Sequence, residues 1–194
     1  MADDLHAQVQ AKFVDVNGVH PMTAADDAYV DEYYVPLEQI AADSDWLRTE
    51  MLAGRLPLPS YVRSDGVQMV PADLLALAER AGGTGRLRAW FLGQWPDPES
   101  GAEEWQSYLS GQYVCLRSVT PETIQRKAEL IMDIGKAIAS AQPESVAWLT
   151  GLHALVDELD ALEPPFTGYD RLRFGGPVSR DSYIDKVRTN YPLG

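Results

Sequence analysis

Cysteine is nearly absent from this sequence: Cys115 is the only one, set in the apolar run Tyr113-Val114-Cys115-Leu116. A single thiol excludes an intramolecular disulfide and a cysteine-rich metal site, and is expected to be a buried structural group. Histidine is almost as scarce. His6, His20 and His153 are too dispersed for any local ligand spacing, so neither a metal nor a cofactor is expected. Positive charge is in short supply as well: 16 Lys+Arg stand against 29 Asp+Glu, a formal charge of -13. That field repels nucleic-acid phosphates and anionic membrane surfaces alike, so nucleic acid is disfavoured as a partner. No apolar run approaches the roughly 20 residues of a bilayer span, and Met1-Ala2-Asp3-Asp4 lacks the basic start and apolar stretch of a secretion signal. A soluble protein of the reducing cytoplasm, off the membrane, is expected. Also missing are a Gly-x-Gly-x-x-Gly fingerprint, a phosphate loop ending in Gly-Lys-Ser/Thr and a Gly-x-Ser-x-Gly elbow, which removes the familiar nucleotide and hydrolase chemistries.

What is present is an ordinary folding sequence, 45% hydrophobic and 23% charged, with mainly helical patterning. Phe13-Val14-Asp15-Val16-Asn17-Gly18-Val19 alternates around an Asn-Gly pair and predicts a small hairpin. Thr23 with Asp26 caps a helix running to about Tyr34. Two short helices, one from Pro36 to Ala42 and one from Asp45 to Leu52, are separated by Asp43-Ser44 and suggest a helix-turn-helix. A proline-studded exit, Gly54-Arg55-Leu56-Pro57-Leu58-Pro59, precedes a strand (Tyr61 to Arg63), an Asp65-Gly66 turn and a strand (Val67 to Val70). Pro71 then opens a helix through Ala81. Beyond Gly82-Gly83-Thr84-Gly85, the apolar residues Leu87, Trp90 and Phe91 mark a helix, Pro96 to Gly101 a loop, and Trp105, Tyr108 and Leu109 a short helix. Thr120-Pro121-Glu122 starts a long helix whose stripe is Ile124, Ala128, Ile131, Ile134 and Ile138. Val146 to Leu159 makes a second stripe, and the two helices should form an antiparallel pair. After Pro164-Pro165 comes a loop, Phe166 to Val178, and a helix capped by Ser179.

The segment from Val35 to Ala81, with its leucine-bearing first helix, second helix, Gly-x-Leu-Pro-x-Pro exit and wing, resembles the DNA-binding lobe of the mercury-resistance-regulator type of winged helix. The expected fold is therefore mainly α: a winged helix-turn-helix-like lobe with a small β-hairpin wing and an N-terminal extension (residues 1–83), packed on a C-terminal helical bundle with a loop-helix tail (84–194). The wing and second helix are where a DNA reader places cations. Between Asp31 and Arg80, however, nine acids outnumber the four arginines Arg48, Arg55, Arg63 and Arg80.

One segment reverses the acidic background. From Pro164 onward, Arg171, Arg173, Arg180, Lys186 and Arg188 face only Asp170, Asp181 and Asp185. Gly175-Gly176 beside a helix start offers backbone N–H groups, and flanking arginines can clamp a carboxylate or phosphate. The candidate ligand-binding residues are Arg173, Gly175, Gly176, Ser179, Arg180 and Tyr183; no catalytic residue is assigned. Ser179 as a plain helix cap and arginines that pair with surface acids are the structural alternative. His153 lies one helical turn before Asp157, but the acids Asp157, Glu158, Asp160 and Glu163 read mainly as a solvated face. Arg55-Leu56-Pro57-Leu58-Pro59-Ser60-Tyr61, Leu87-Arg88-Ala89-Trp90-Phe91, Cys115-Leu116-Arg117 with Thr120-Pro121-Glu122, and Gly175-Gly176-Pro177 together resemble an uncharacterised actinobacterial family associated with natural-product biosynthesis genes. The resemblance implies an accessory or catalytic protein of secondary metabolism, here with an anionic small molecule or carrier-bound intermediate at the arginine-glycine tail. A winged-helix DNA regulator and a non-catalytic interaction module, binding a protein partner or a second copy of itself, are the two other readings.

Overall fold

Leu5, Val9 and Phe13 recur every fourth residue, which lines one face of a helix. In the computed structural model, which describes residues 2–193, the chain is accordingly helical over Ala2–Asn17 (α1), with Val9 and Phe13 in the core. The hairpin expected at residues 13–19 does not form. Asn17-Gly18 ends the helix instead: Gly18 takes φ 72°, its N–H donates to the Val14 carbonyl (2.8 Å), and the Asn17 amide donates to that of Phe13 (3.0 Å). An Asn-Gly pair suits a left-handed helix cap as well as a tight turn, and the buried stripe decides between them.

The chain forms two compact units, Met1–Val114 and Cys115–Gly194. In the first, Thr23 and Asp26 close a reciprocal capping box that starts α2, Ala24–Tyr33. Strand β1, Val35–Pro36, follows; no helix fills residues 36–42, only a single helical turn, Leu37–Gln39. Leu37 is its one buried residue, too small an apolar stripe to offset the cost of nucleating a longer helix. Asp43 caps α3, Ser44–Leu52. Strands β2, Tyr61–Val62, and β3, Gln68–Val70, form the expected hairpin, and β3 also pairs with β1, giving a three-stranded antiparallel sheet of order β1-β3-β2.

Pro71 opens hydrogen-bonded turns rather than a helix, and α4 spans Ala76–Ala81. Gly82 and Gly83 are no loose joint: both have positive φ and donate to carbonyls of α4, and α5, Thr84–Leu92, packs back onto it. Helix α6, Pro98–Leu109, begins inside the expected loop because Asp97 caps it with Pro98 at its first position. Phe91 of α5 stacks on Tyr108 and meets Trp105 edge-on (5.4 Å each), which ties α5 and α6 into the first unit.

The second unit holds the expected long helices, α7, Pro121–Ala139, and α8, Val146–Leu162. They run antiparallel: Arg126 pairs with Glu158 near one end, and the Trp148 indole donates to the Ala137 carbonyl at the other. Leu130, Ile134, Leu152, Val156 and Leu159 bury their facing stripes together with Ile184 and Val187 of the tail. The expected tail loop contains a helix, α9, Gly168–Arg173, started by a Thr167–Asp170 capping box. The last helix opens as a π-helical turn, Arg180–Asp185, and continues as α10, Lys186–Asn190.

Gly111 holds the close of the first unit. At φ 73°, its missing Cβ would lie 2.5 Å from the Leu58 carbonyl and 2.7 Å from that of Pro59. Gly111→Ala should therefore cost on the order of 3 kcal/mol in urea unfolding, from strain and backbone overlap together. Gly66→Ala, at φ 87° with open space around it, should cost only about 1 kcal/mol; equal losses would show that φ alone matters.

Candidate functional site

Two regions carry the charges singled out by the sequence: α3 with the β2–β3 hairpin in the first unit, and the tail of the second. On α3, Arg48 points inward and is about 5% exposed. Its guanidinium donates to Gln68 Oε1 (3.0 Å), to Ser44 Oγ (3.1 Å) and to Glu38, with Asp45 at 3.5 Å and His6 Nδ1 at 3.4 Å. Arg55 forks onto the buried Glu50, whose carboxyl it holds below the usual range. Arg63, in the turn of the β2–β3 hairpin, forks onto Asp65 and also reaches Asp31 (2.5 Å). Arg80 lies over the Trp90 ring, 4.9 Å from its centre. Each of the four arginines of this segment is thus engaged within the lobe. What α3 leaves towards solvent is Asp43, Asp45, Trp46 and Thr49.

In the tail, Arg173 is buried, not displayed. Its side chain is wholly covered, it donates to Asp170 (2.9 Å), and it stacks against the rings of Tyr169 and Phe174. Gly175 and Gly176 spend their N–H groups on the carbonyls of Leu172 and Arg171, ending α9. Ser179 does not cap the last helix; its hydroxyl donates to the Glu163 carboxylate, and Asp181 instead accepts from the Val178 N–H. Arg180 pairs with Asp160 and also donates to the Glu163 and Pro164 carbonyls. Tyr183 packs against the hydrophobic core. Of the six candidate residues, Ser179 and Arg180 are brought together, both at Glu163.

Glu163 was not distinguishable in sequence from its solvated neighbours, yet it is completely buried. Lys127 of α7 meets it at 2.8 Å and also donates to Ser179 Oγ (3.0 Å) and to the Cys115 carbonyl (3.3 Å). A lysine beside a serine invites a nucleophilic reading. Here, however, the ammonium donates to three acceptors, Glu163, Ser179 Oγ and the Cys115 carbonyl, and the serine's own proton is given to Glu163, so the lysine stands to the serine as a donor and not as a base. The cluster works as a clasp joining α7, the end of α8 and the tail. Next to it, Asp160 binds both Arg180 and Arg188, and Arg188 also holds Asp157. Burial raises the Asp160 carboxyl, but the two guanidinium groups outweigh it and leave it below its ordinary value; Asp181 is lowered chiefly by Arg171. His153 donates to the Tyr191 carbonyl (2.6 Å), and Asp157 pairs with Arg188. Cys115 is half-buried. Among the described residues, no group of three His, Cys, Asp or Glu side chains is placed to hold a metal, and no helix is long and apolar enough to cross a membrane.

The positive tail therefore faces the acidic end of α8, and a small anion there has to displace Asp160, Glu163 or Asp181. Lys127→Met leaves Glu163 buried without its cation and should lower stability by about 3–5 kcal/mol. Adding Glu163→Leu should recover most of that loss in urea unfolding; no recovery would mean that Lys127 acts through packing alone. Because Asp160 and Asp181 are lowered on folding, their contribution is present above the unfolded aspartate value of about 3.9 and is lost as acid protonates them. The urea midpoint should fall with pH through that range, and Asp160→Asn should fall less steeply than the parent chain.

No curated protein and no solved structure matches the chain. A family model matches residues 96–192, half of the chain, which therefore belongs to the family described as Family of unknown function (DUF6058).

Proposed function

We propose that this chain is a non-catalytic accessory protein of natural-product biosynthesis that docks a basic protein surface through its N-terminal lobe. The pathway context comes from the sequence resemblance. The order β1, helical turn, α3, β2, β3, α4, with β3 in the centre of the sheet, supports the winged-helix description of the lobe. One observation carries the choice of partner: Arg48 and Arg63, on the elements where a DNA reader presents cations, are neutralised by Glu38, Asp45, Asp31 and Asp65. The first unit has 7 Lys+Arg against 18 Asp+Glu, a net -11, which attracts cationic partners and accelerates their encounter.

Carbodiimide couples carboxylates directly to amines and so tests this surface. Applied in the native host, it should link Asp43, Asp45 or another acid of the lobe to lysines of one partner at fixed stoichiometry. The unmodified chain should give no shift of duplex DNA at about 50 mM salt. A salt-dependent DNA complex of the unmodified chain would replace this proposal with a regulator.

A further inference from the structure

The wing is fastened to α2 by groups whose chemistry is that of a phosphate site. The Ser64 backbone N–H donates to Asp27 Oδ1 (3.0 Å) and its hydroxyl to Asp27 Oδ2, while Arg63 Nη1 donates to Asp31 Oδ1 (2.5 Å). Asp27 and Asp31 lie one turn apart on α2, so a single helix face delivers both carboxylates to the wing. Here the amide and hydroxyl serve one carboxylate, Asp27, and the guanidinium another, Asp31; amide, hydroxyl and guanidinium are together the donor types that proteins use for phosphate oxygens.

The turn does not need these carboxylates to keep its shape. Arg63 N–H donates to Val67 O (2.9 Å), Gly66 N–H to Arg63 O (2.8 Å), and Val67 N–H to Asp65 Oδ1 (3.2 Å), all within the hairpin. Helix α2, for its part, is anchored by the buried Val30 and by its capping box. The clasp is thus additional to both elements that it joins, and it lies at the surface, where ion pairs are weak and exchangeable.

We infer that the wing turn of residues 63–66 is a phosphate-binding site that Asp27 and Asp31 hold shut as internal phosphate mimics. The inference goes beyond docking: three carboxylates, Asp27, Asp31 and Asp65, crowd one guanidinium and one serine, so the closed site repels an incoming anion. A basic partner that draws off Asp27 and Asp31 frees the Ser64 amide and hydroxyl and the Arg63 Nη1, while Asp65 keeps Nε and Nη2 and so holds the guanidinium in place, which couples docking to anion binding in both directions.

The test uses the chain of 194 residues carrying Asp27→Asn and Asp31→Asn, with circular dichroism to check the fold. The probes are a labelled 12-base-pair duplex, followed by anisotropy at about 50 mM salt, and inorganic phosphate, followed at the Ser64 amide by NMR. The double variant should bind the duplex at least about tenfold more tightly than the parent chain, and adding Arg63→Ala should remove the gain. A control with the same charge change elsewhere, Glu99→Gln with Glu103→Gln on α6, should gain little. No gain in the double variant, or an equal gain in the control, would overturn the masked site. A Ser64 response to inorganic phosphate without duplex binding would keep the site and assign it to free anions. Duplex binding by the parent chain itself would count against the docking proposal instead, so the two ideas fail separately.

Discussion

A cation withdrawn from water must be answered by anions or acceptors at hydrogen-bonding distance, and each unit of this protein is organised about one such cation. In the first unit it is Arg48, which draws α1 through His6, the turn before α3 through Glu38, and strand β3 through Gln68 to one point. Gln68 in turn donates to the His6 backbone carbonyl (3.0 Å), so the network closes on itself. In the second unit it is Lys127, which joins α7 to the end of α8 and to the tail through Glu163 and Ser179. Apolar stripes bring the helices together, but they are tolerant of sliding; a buried ion has few acceptable positions, and it fixes register.

The same demand explains why a local charge count misleads in this sequence. The tail from Pro164 onward carries a surplus of cations, and α8 ends in a run of acids. Read apart, they suggest an anion site and a solvated face. Folded, Asp157 and Asp160 take Arg188, Asp160 takes Arg180 and Glu163 takes Lys127, so the surplus and the run cancel. The second unit is left with 9 Lys+Arg against 11 Asp+Glu, while the first keeps nearly the whole charge of the chain. Long-range electrostatics therefore belong to the N-terminal lobe, and so does the case for a cationic partner.

Elements carrying their own instructions are legible: the Thr23 and Thr120 caps, the helices α7 and α8, and the Asp65-Gly66 hairpin each depend on residues a few positions apart, although Ala128 and Val146 of the expected stripes are exposed and Leu130 is buried in addition. The misreadings arose where one local signal serves two structures. Asn17-Gly18 suits a hairpin or a helix end, and only the burial of Val9 and Phe13 selects the latter. Residues 36–42 look helical by composition, but the strand pairing of Val35 and Pro36 with β3 takes up the start of that segment. The hidden role of Glu163 had no local signal, since its partner Lys127 lies 36 positions earlier on another helix.

For the candidate site, the residue types are legible in the sequence, while folding decides what they face. Arg173, Ser179 and Arg180 were identifiable as polar residues near a glycine pair, yet Arg173 turns into the interior and the other two turn onto Glu163 and Asp160. The lobe shows the converse: Asp27 and Asp31 resemble ordinary surface acids of a helix, and their significance comes from Arg63 and Ser64 of the β2–β3 hairpin, brought opposite them from more than 30 positions away. With 29 acids to 16 bases, almost any cation the fold exposes finds a carboxylate of its own chain first. An external anion can then bind only where that internal carboxylate is held by a weak surface contact, as on the β2–β3 hairpin, and not where it is buried, as at Asp170 and Glu163.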